Sequence, residues 1–97
     1  MENLKILTIL YDYYEALLTE KQRQYFTDYY FNDLSMSEIS ENYGVSKTAV
    51  SKQINEINIK LNYYEEKLQL FEKRKQILKL LENIDNKKII DQISKIV

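Results

Sequence analysis

The chain has 97 residues, a formal net charge of −1, one glycine, and no proline, cysteine, histidine or tryptophan. This composition excludes disulfide frameworks, thiol or histidine catalysis, the usual zinc sites and glycine-rich phosphate loops. We therefore predict a non-catalytic, all-α protein with no cofactor and no metal, because hairpins and βαβ units usually need Gly and Pro in their turns. The sequence has no apolar run of membrane-spanning length and no basic leader, so we expect a cytoplasmic protein without membrane insertion.

The near-neutral total charge is unevenly distributed along the chain. Residues 1–45 carry three basic and eight acidic side chains (3 − 8 = −5), and residues 46–97 carry eleven basic and seven acidic ones (11 − 7 = +4). An acidic half and a basic half fit a protein that presents one face to phosphate. Lysine-rich helices that only face solvent would give the same distribution.

The first predicted helix covers residues 3–18, where apolar side chains recur every three or four positions. Its stripe consists of Leu4, Leu7, Tyr11, Tyr14 and Leu18. The same spacing assigns most N-terminal tyrosines to a core and not to a stacking platform for single-stranded nucleic acid. The predicted core tyrosines are Tyr11, Tyr14, Tyr25 and Tyr29. Tyr13 lies off the stripe, and we expect it to be exposed.

Two capping boxes predict where the next two helices begin, because a hydroxyl at the N-cap and a Glu or Gln three residues later cap each other's backbone amides. The boxes are Thr19 with Gln22 and Ser35 with Glu38. The second helix is therefore expected to begin at Glu20 and end near Phe31. The third is expected to be short and to end near Asn42.

Residues 39–54 have the layout of a helix-turn-helix. Each position that this motif needs is filled: apolar residues where two helices pack, a small residue at their crossing, a left-handed glycine in the turn and a capping hydroxyl after it. These are, in order, Ile39 with Val50, Ser40, Gly44 and Ser46. The exposed side chains of the second helix are of the types that reach phosphates and base edges in a major groove. The predicted DNA-binding residues are Ser46, Lys47, Thr48, Ser51, Lys52 and Asn55. A helical hairpin that uses this turn only for packing is the alternative.

Apolar residues continue with heptad spacing from Val50 to Leu78, with one charged interruption at Lys75. This pattern predicts a long helix over residues 50–81, with Asn62 as a candidate break. Such a rod cannot bury its stripe against residues 3–45 alone, so it folds back or pairs with a second chain. The predicted dimerisation residues are Leu61, Tyr64, Leu68, Phe71 and Leu78.

The sequence therefore divides into a predicted helical head and a C-terminal helical extension. The head covers residues 1–61, with the helix-turn-helix at about 35–60, and the extension covers residues 62–97. A turn at residues 83–86 precedes a last short helix. The predicted core of the head consists of Leu7, Leu10, Leu18, Phe26, Tyr30, Ile39, Val45, Val50 and Ile54.

Several segments of the chain resemble the YlxM/p13-like (UPF0122) family of small bacterial helix-turn-helix proteins. The segments are Leu17-Leu18-Thr19-Glu20-Lys21-Gln22-Arg23, Tyr29-Tyr30-Phe31-Asn32-Asp33-Leu34-Ser35, Gly44-Val45-Ser46 and Tyr64-Glu65-Glu66-Lys67-Leu68. The resemblance spans about residues 10–82. It implies a winged-helix-like or sigma region 4-like head, DNA binding in transcription regulation, and a link to the signal recognition particle pathway.

Three function hypotheses follow. The first is a dimeric regulator that binds double-stranded DNA with its helix-turn-helix. The second is a protein or RNA interaction module of the secretion machinery that contacts signal recognition particle components and uses the helix-turn-helix only as a scaffold. The third is a structural protein that binds no ligand and whose helical rod serves only to form a constitutive dimer.

Overall fold

The computed structural model describes residues 4–97 as six α-helices and one short 3-10 helix. Their bounds are α1 Leu4–Tyr14, the 3-10 helix Glu15–Leu17, α2 Glu20–Tyr30, α3 Met36–Tyr43, α4 Lys47–Leu68, α5 Leu70–Leu81 and α6 Lys87–Ser94. The all-α fold class is confirmed, and residues 4–97 contain no β-hairpin wing beside the helix-turn-helix. Within this range no helix combines the length and apolar character needed to cross a bilayer.

Both predicted capping boxes are confirmed. The Thr19 hydroxyl accepts a hydrogen bond from the Gln22 amide at 3.1 Å, and the Gln22 side chain accepts one from the Thr19 amide at 3.0 Å. Ser35 and Glu38 make the same reciprocal pair at 3.1 Å. Each capping box accepts hydrogen bonds from backbone amides that have no partner inside the helix. Helices α2 and α3 therefore begin at the predicted positions.

The first helix is shorter than predicted. Residue 3, where it was expected to begin, lies outside the described residues, and α1 ends at Tyr14 instead of continuing to Leu18. A single 3-10 turn follows, and Leu18 then adopts an extended backbone that leads into the capped start of α2. The chain must leave the helical conformation here, because an N-cap residue such as Thr19 has extended backbone angles.

The core of the head is built around α4, which packs against α1, α2 and α3. The buried residues are Leu7, Leu10, Tyr11, Tyr14, Leu18, Tyr25, Phe26, Ile39, Val50, Ile54, Ile57 and Leu61. Tyr30 and Val45, which the sequence predicted to be core, are half-buried and pack against this cluster. Tyr30 remains at the edge because its hydroxyl forms a hydrogen bond with the Asn58 side chain.

The tyrosines lie mostly where the apolar spacing predicted. Tyr11, Tyr14 and Tyr25 are buried, and the Tyr11 ring stacks on Phe26 with a centroid distance of 4.3 Å. Tyr29 is half-buried instead of fully buried. The prediction that Tyr13 is exposed was wrong: it is half-buried, with its ring centroid 6.1 Å from that of Phe71, because α5 folds back against α1.

The predicted continuous helix over residues 50–81 was wrong, and so was the candidate break at Asn62. Asn62 lies inside α4, where its side-chain amide donates to the Asn58 carbonyl at 2.9 Å. The helix breaks about two turns later at Gln69, which has a left-handed backbone with a φ of 55°. The predicted boundary between residues 61 and 62 therefore falls in the middle of α4.

A buried tyrosine and a glutamate hold this break in place, and we call them the Tyr14–Glu65 clamp. One oxygen of Glu65 accepts from the Tyr14 hydroxyl at 2.6 Å and from the Phe71 amide at 3.1 Å, and the other accepts from the Glu72 amide at 3.1 Å. The Tyr14 hydroxyl in turn accepts from the Leu70 amide at 3.1 Å. The clamp therefore caps the first turn of α5 with a negative charge, which the helix dipole favours.

Beyond the break, α5 and α6 form an arm (residues 70–97) that projects from the head (residues 4–69). The turn predicted at residues 83–86 is present, and the Asn86 side chain caps α6 by accepting from the Ile89 amide at 3.2 Å. Within the arm only Leu81 is buried. The radius of gyration is 17.2 Å and the longest extent 56 Å, whereas a compact chain of this length has a radius of gyration of about 12.5 Å.

Candidate nucleic-acid interface

The turn between α3 and α4 is a Schellman motif centred on Gly44. Gly44 has a left-handed backbone with a φ of 65°. Its amide donates to the Glu41 carbonyl at 3.4 Å, and the Val45 amide donates to the Ser40 carbonyl at 3.0 Å. These two bonds satisfy the last carbonyls of α3 and turn the chain sharply towards α4, as the lone glycine predicted.

Helix α3 is fixed to α2 by side chains that contact each other below this turn. The Tyr43 hydroxyl donates to Asp28 at 2.9 Å, and the Tyr43 ring lies 4.8 Å from that of Tyr25. Burial, followed by the hydrogen bond to Asp28, raises the pKa of Tyr43 above its ordinary value. Ile39 and Ser40 are both buried on α3, which packs against α4, as predicted for an apolar and a small residue at the crossing of the two helices.

The start of α4 presents the predicted DNA-binding residues to solvent. The Ser46 hydroxyl accepts from the Ala49 amide at 3.1 Å and so caps the helix as predicted. All six predicted residues are exposed: Ser46, Lys47, Thr48, Ser51, Lys52 and Asn55. At 100° per residue, the five that follow the cap occupy an arc of about 140° on one face of α4. They form one polar, cationic surface, while Val50 and Ile54 point into the core.

Helix α4 is anchored to α2 by two polar contacts that lie further along α4 than this surface. The Asn58 side-chain amide donates to the Tyr30 hydroxyl at 2.9 Å, and the Lys60 ammonium lies 3.5 Å from the Gln22 side-chain oxygen. These contacts fix the direction of the exposed face relative to the head. They were not predicted, because each joins residues that are far apart in sequence and unremarkable in type.

The predicted dimerisation residues occupy several different environments. Leu61 is fully buried, at 0% exposure, in the core of its own head, so it has no surface left for a second chain. Tyr64 and Phe71 pack against the same core, and the Tyr64 hydroxyl lies 3.4 Å from the Leu17 carbonyl. Leu68 is exposed and Leu78 half-buried. Most of the heptad stripe is thus used within one chain.

Comparison with known proteins identifies the family. A family described as "Putative helix-turn-helix protein, YlxM / p13 like" matches residues 1–96. The chain belongs to this family.

Bacterial members of the YlxM/p13-like family are similar to this chain over most of their length. A UPF0122 protein of Caldanaerobacter subterraneus subsp. tengcongensis is 45% identical over 78 residues, which cover 80% of this chain and 67% of the relative. One from Exiguobacterium sp. is 41% identical over 95 residues, covering 97% and 89% of the two chains. One from Mycoplasma pneumoniae is 41% identical over 87 residues, covering 90% and 85%. The family assignment agrees with the helix-turn-helix geometry of α3, Gly44 and α4.

Proposed function

We propose that this YlxM/p13-like protein is a non-catalytic regulator that binds double-stranded DNA with the start of α4. The observation that carries the proposal is the exposure of all six predicted residues on the first turns of a helix whose other face is buried. In this arrangement the helix N-terminus and two lysines meet the phosphate backbone. A DNA partner also places the protein in the cytoplasm of a bacterial cell.

The side chains of this face divide into two roles. Lys47 and Lys52 are exposed cations that hold phosphates, whereas Thr48, Ser51 and Asn55 are short enough to reach base edges. Asn55 can form two hydrogen bonds with an adenine edge in the major groove. Because only two cations lie on this face, we expect weak binding that depends strongly on salt concentration.

Fluorescence anisotropy with a labelled duplex tests the proposal, starting at about 50 mM salt. We expect binding that weakens as salt is added. Replacing both Lys47 and Lys52 with alanine should make the plot of the logarithm of the association constant against the logarithm of the salt concentration less steep, by roughly 2 units of slope. The matched control is Lys87→Ala with Lys88→Ala, which removes two exposed lysines from α6. An absence of binding at low salt, or an equal loss in both double variants, would contradict the proposal.

A second candidate function is an interaction module of the secretion machinery that contacts signal recognition particle components. It is favoured by the exposed Ile59 and Tyr63, which line a groove of about 460 Å³ on α4 beyond Asn55. A pull-down of these components and of random duplex DNA distinguishes the two functions. Capture of the components that is lost in Ile59→Asp and retained in the Lys47/Lys52 double variant would favour the second candidate.

The proposal includes a homodimer, because a twofold pair would place two α4 helices in successive major grooves about 34 Å apart. Leu61 is fully buried in its own head and has no surface left for such a contact. The other predicted dimerisation residues, Tyr64, Leu68, Phe71 and Leu78, keep part of their surface exposed.

A further inference from the structure

An apolar strip runs from the head onto the arm without a break. On α1, Ile6, Ile9 and Tyr13 share a face at spacings of three and four residues, next to the buried stripe. Tyr13 also lines a groove of about 290 Å³ whose other walls are Leu70, Arg74, Ile96 and Val97. We call Ile6, Ile9, Tyr13, Leu70 and Ile96 the α1–arm strip.

Three residues of the strip are exposed, and Ile9 and Tyr13 are half-buried. Ile96 is 83% exposed, Leu70 44% and Ile6 38%. The Arg74 guanidinium donates to the Val97 carbonyl at 3.3 Å, so α5 and the segment after α6 are held together beside Leu70. The strip is therefore a continuous surface across two parts of the fold, in contrast to isolated exposed residues.

The charges at the two ends of the molecule indicate what covers the strip. Residues 1–69 carry seven basic and eleven acidic side chains (7 − 11 = −4), and residues 70–97 carry seven basic and four acidic ones (7 − 4 = +3). A molecule 56 Å long whose head is net acidic and whose arm is net basic attracts a second copy that runs in the opposite direction. Two copies side by side in the same direction would place like charges together.

We propose that two copies of this chain pair in opposite directions through the α1–arm strip, with the twofold axis near Tyr13. The α1 face of each copy then contacts the arm of the other, and each acidic head lies beside a basic arm. A stable interface needs about 800 Å² from each partner, roughly a ninth of the 7022 Å² surface of the chain. The exposed residues of the α4 start, from Lys47 to Asn55, are not part of the strip.

This inference deepens the dimer included in the proposed function, and it is tested without DNA so that the two can fail separately. Sedimentation equilibrium of the full chain should give twice the monomer mass of 11.7 kDa. Ile96→Asp and Leu70→Asp should each weaken the dimer by at least about tenfold, because each substitution occurs twice in a twofold interface. The matched control is Leu80→Asp: Leu80 is 67% exposed on α5 but lines a separate groove with Gln76, Lys79 and Asn83.

The circular dichroism spectrum of each variant at room temperature shows whether it remains folded, and Ile96→Asp should keep the helical content of the parent because the side chain is 83% exposed within its own chain. Sodium chloride distinguishes the direction of pairing: raising it from about 50 to about 500 mM should weaken an antiparallel dimer and strengthen a parallel one. A monomeric parent, unchanged dimers in Ile96→Asp and Leu70→Asp, an equal loss in Leu80→Asp, or a dimer that strengthens with salt would each overturn the inference. A monomer that still binds DNA would overturn this inference and the homodimer of the proposed function, but not DNA binding by α4.

Discussion

The head and the arm are made of similar amphipathic helices, but they differ in how much apolar surface each buries. In the head, four helices enclose a core of twelve buried residues, whereas the arm buries only Leu81. The head is therefore held by its own packing, and the arm is held mainly at its base by the Tyr14–Glu65 clamp. The difference indicates that the head is the more stable part of the molecule and that it supports α4.

A buried charge in the head should have the largest effect. Val50 is fully buried where α4 crosses α3, so Val50→Asp places an unpaired carboxylate in the core and should cost about 3 kcal/mol or more. Thermal melting followed by circular dichroism measures the loss. Leu80→Asp in the arm is the control and should leave the melting temperature almost unchanged. Similar melting curves for both variants would contradict the contrast between head and arm.

Removal of the clamp should loosen the arm while the head stays folded. Glu65→Ala deletes the acceptor for one hydroxyl and two amides, which we expect to cost about 2 kcal/mol. Hydrogen exchange should show faster exchange of the Leu70, Phe71 and Glu72 amides and little change in the head core. The neighbouring Glu66→Ala changes an exposed carboxylate and should have no such effect. Equal exchange in the two variants would show that the clamp does not hold the arm.

Gly44 and Gln69 both have a left-handed backbone, and they should respond in opposite directions to substitution. Gly44→Ala should destabilise the head by about 1 kcal/mol, and the cost comes from the backbone alone because an added Cβ meets no atom within 4 Å. Gln69→Gly should relieve the strain at the base of the arm by a similar or smaller amount. Urea unfolding measures both. A loss in Gln69→Gly would show that its side chain contributes more than its backbone costs.

Alkaline pH should destabilise the fold through Tyr14. Burial, followed by the hydrogen bond to Glu65, raises the pKa of Tyr14 from 10.0 to about 12. The folded state therefore favours the neutral phenol. Its stabilising contribution is complete below pH 10 and is lost as pH rises from 10 towards 12. Tyr14→Phe should show a shallower decline in unfolding free energy over this interval, because Tyr11 and Tyr43, whose pKa values are also raised, remain. Identical declines in the parent and in Tyr14→Phe would contradict the assignment of the raised pKa to Tyr14.

The parts of the fold that depend on neighbours in sequence could be predicted. The capping boxes at Thr19 and Ser35, the glycine turn at Gly44 and the cap at Ser46 are all local, and each begins or ends a helix where expected. The exposed face of α4 could be predicted for the same reason, since helical periodicity separates Lys47 and Thr48 from Val50.

The parts that depend on distant residues could not be predicted. Gln69 is not a typical turn residue, and its left-handed backbone is held by Glu65, whose partner Tyr14 lies 51 positions earlier in the chain. By its position in the heptad pattern, Glu65 is expected to be a solvent-exposed charge. The exposure of Tyr13 was mispredicted for the same reason, because only the fold-back of α5 brings Phe71 to it.

The most direct measurement for the central claim is an NMR titration of the ¹⁵N-labelled chain with a DNA duplex at low salt. The account predicts that the largest shifts occur at the amides from Lys47 to Asn55 and that the arm amides from Lys87 to Lys95 move little. Shifts confined to the arm, or an absence of shifts in this α4 segment while the duplex is bound, would contradict the claim that α4 is the DNA-binding element.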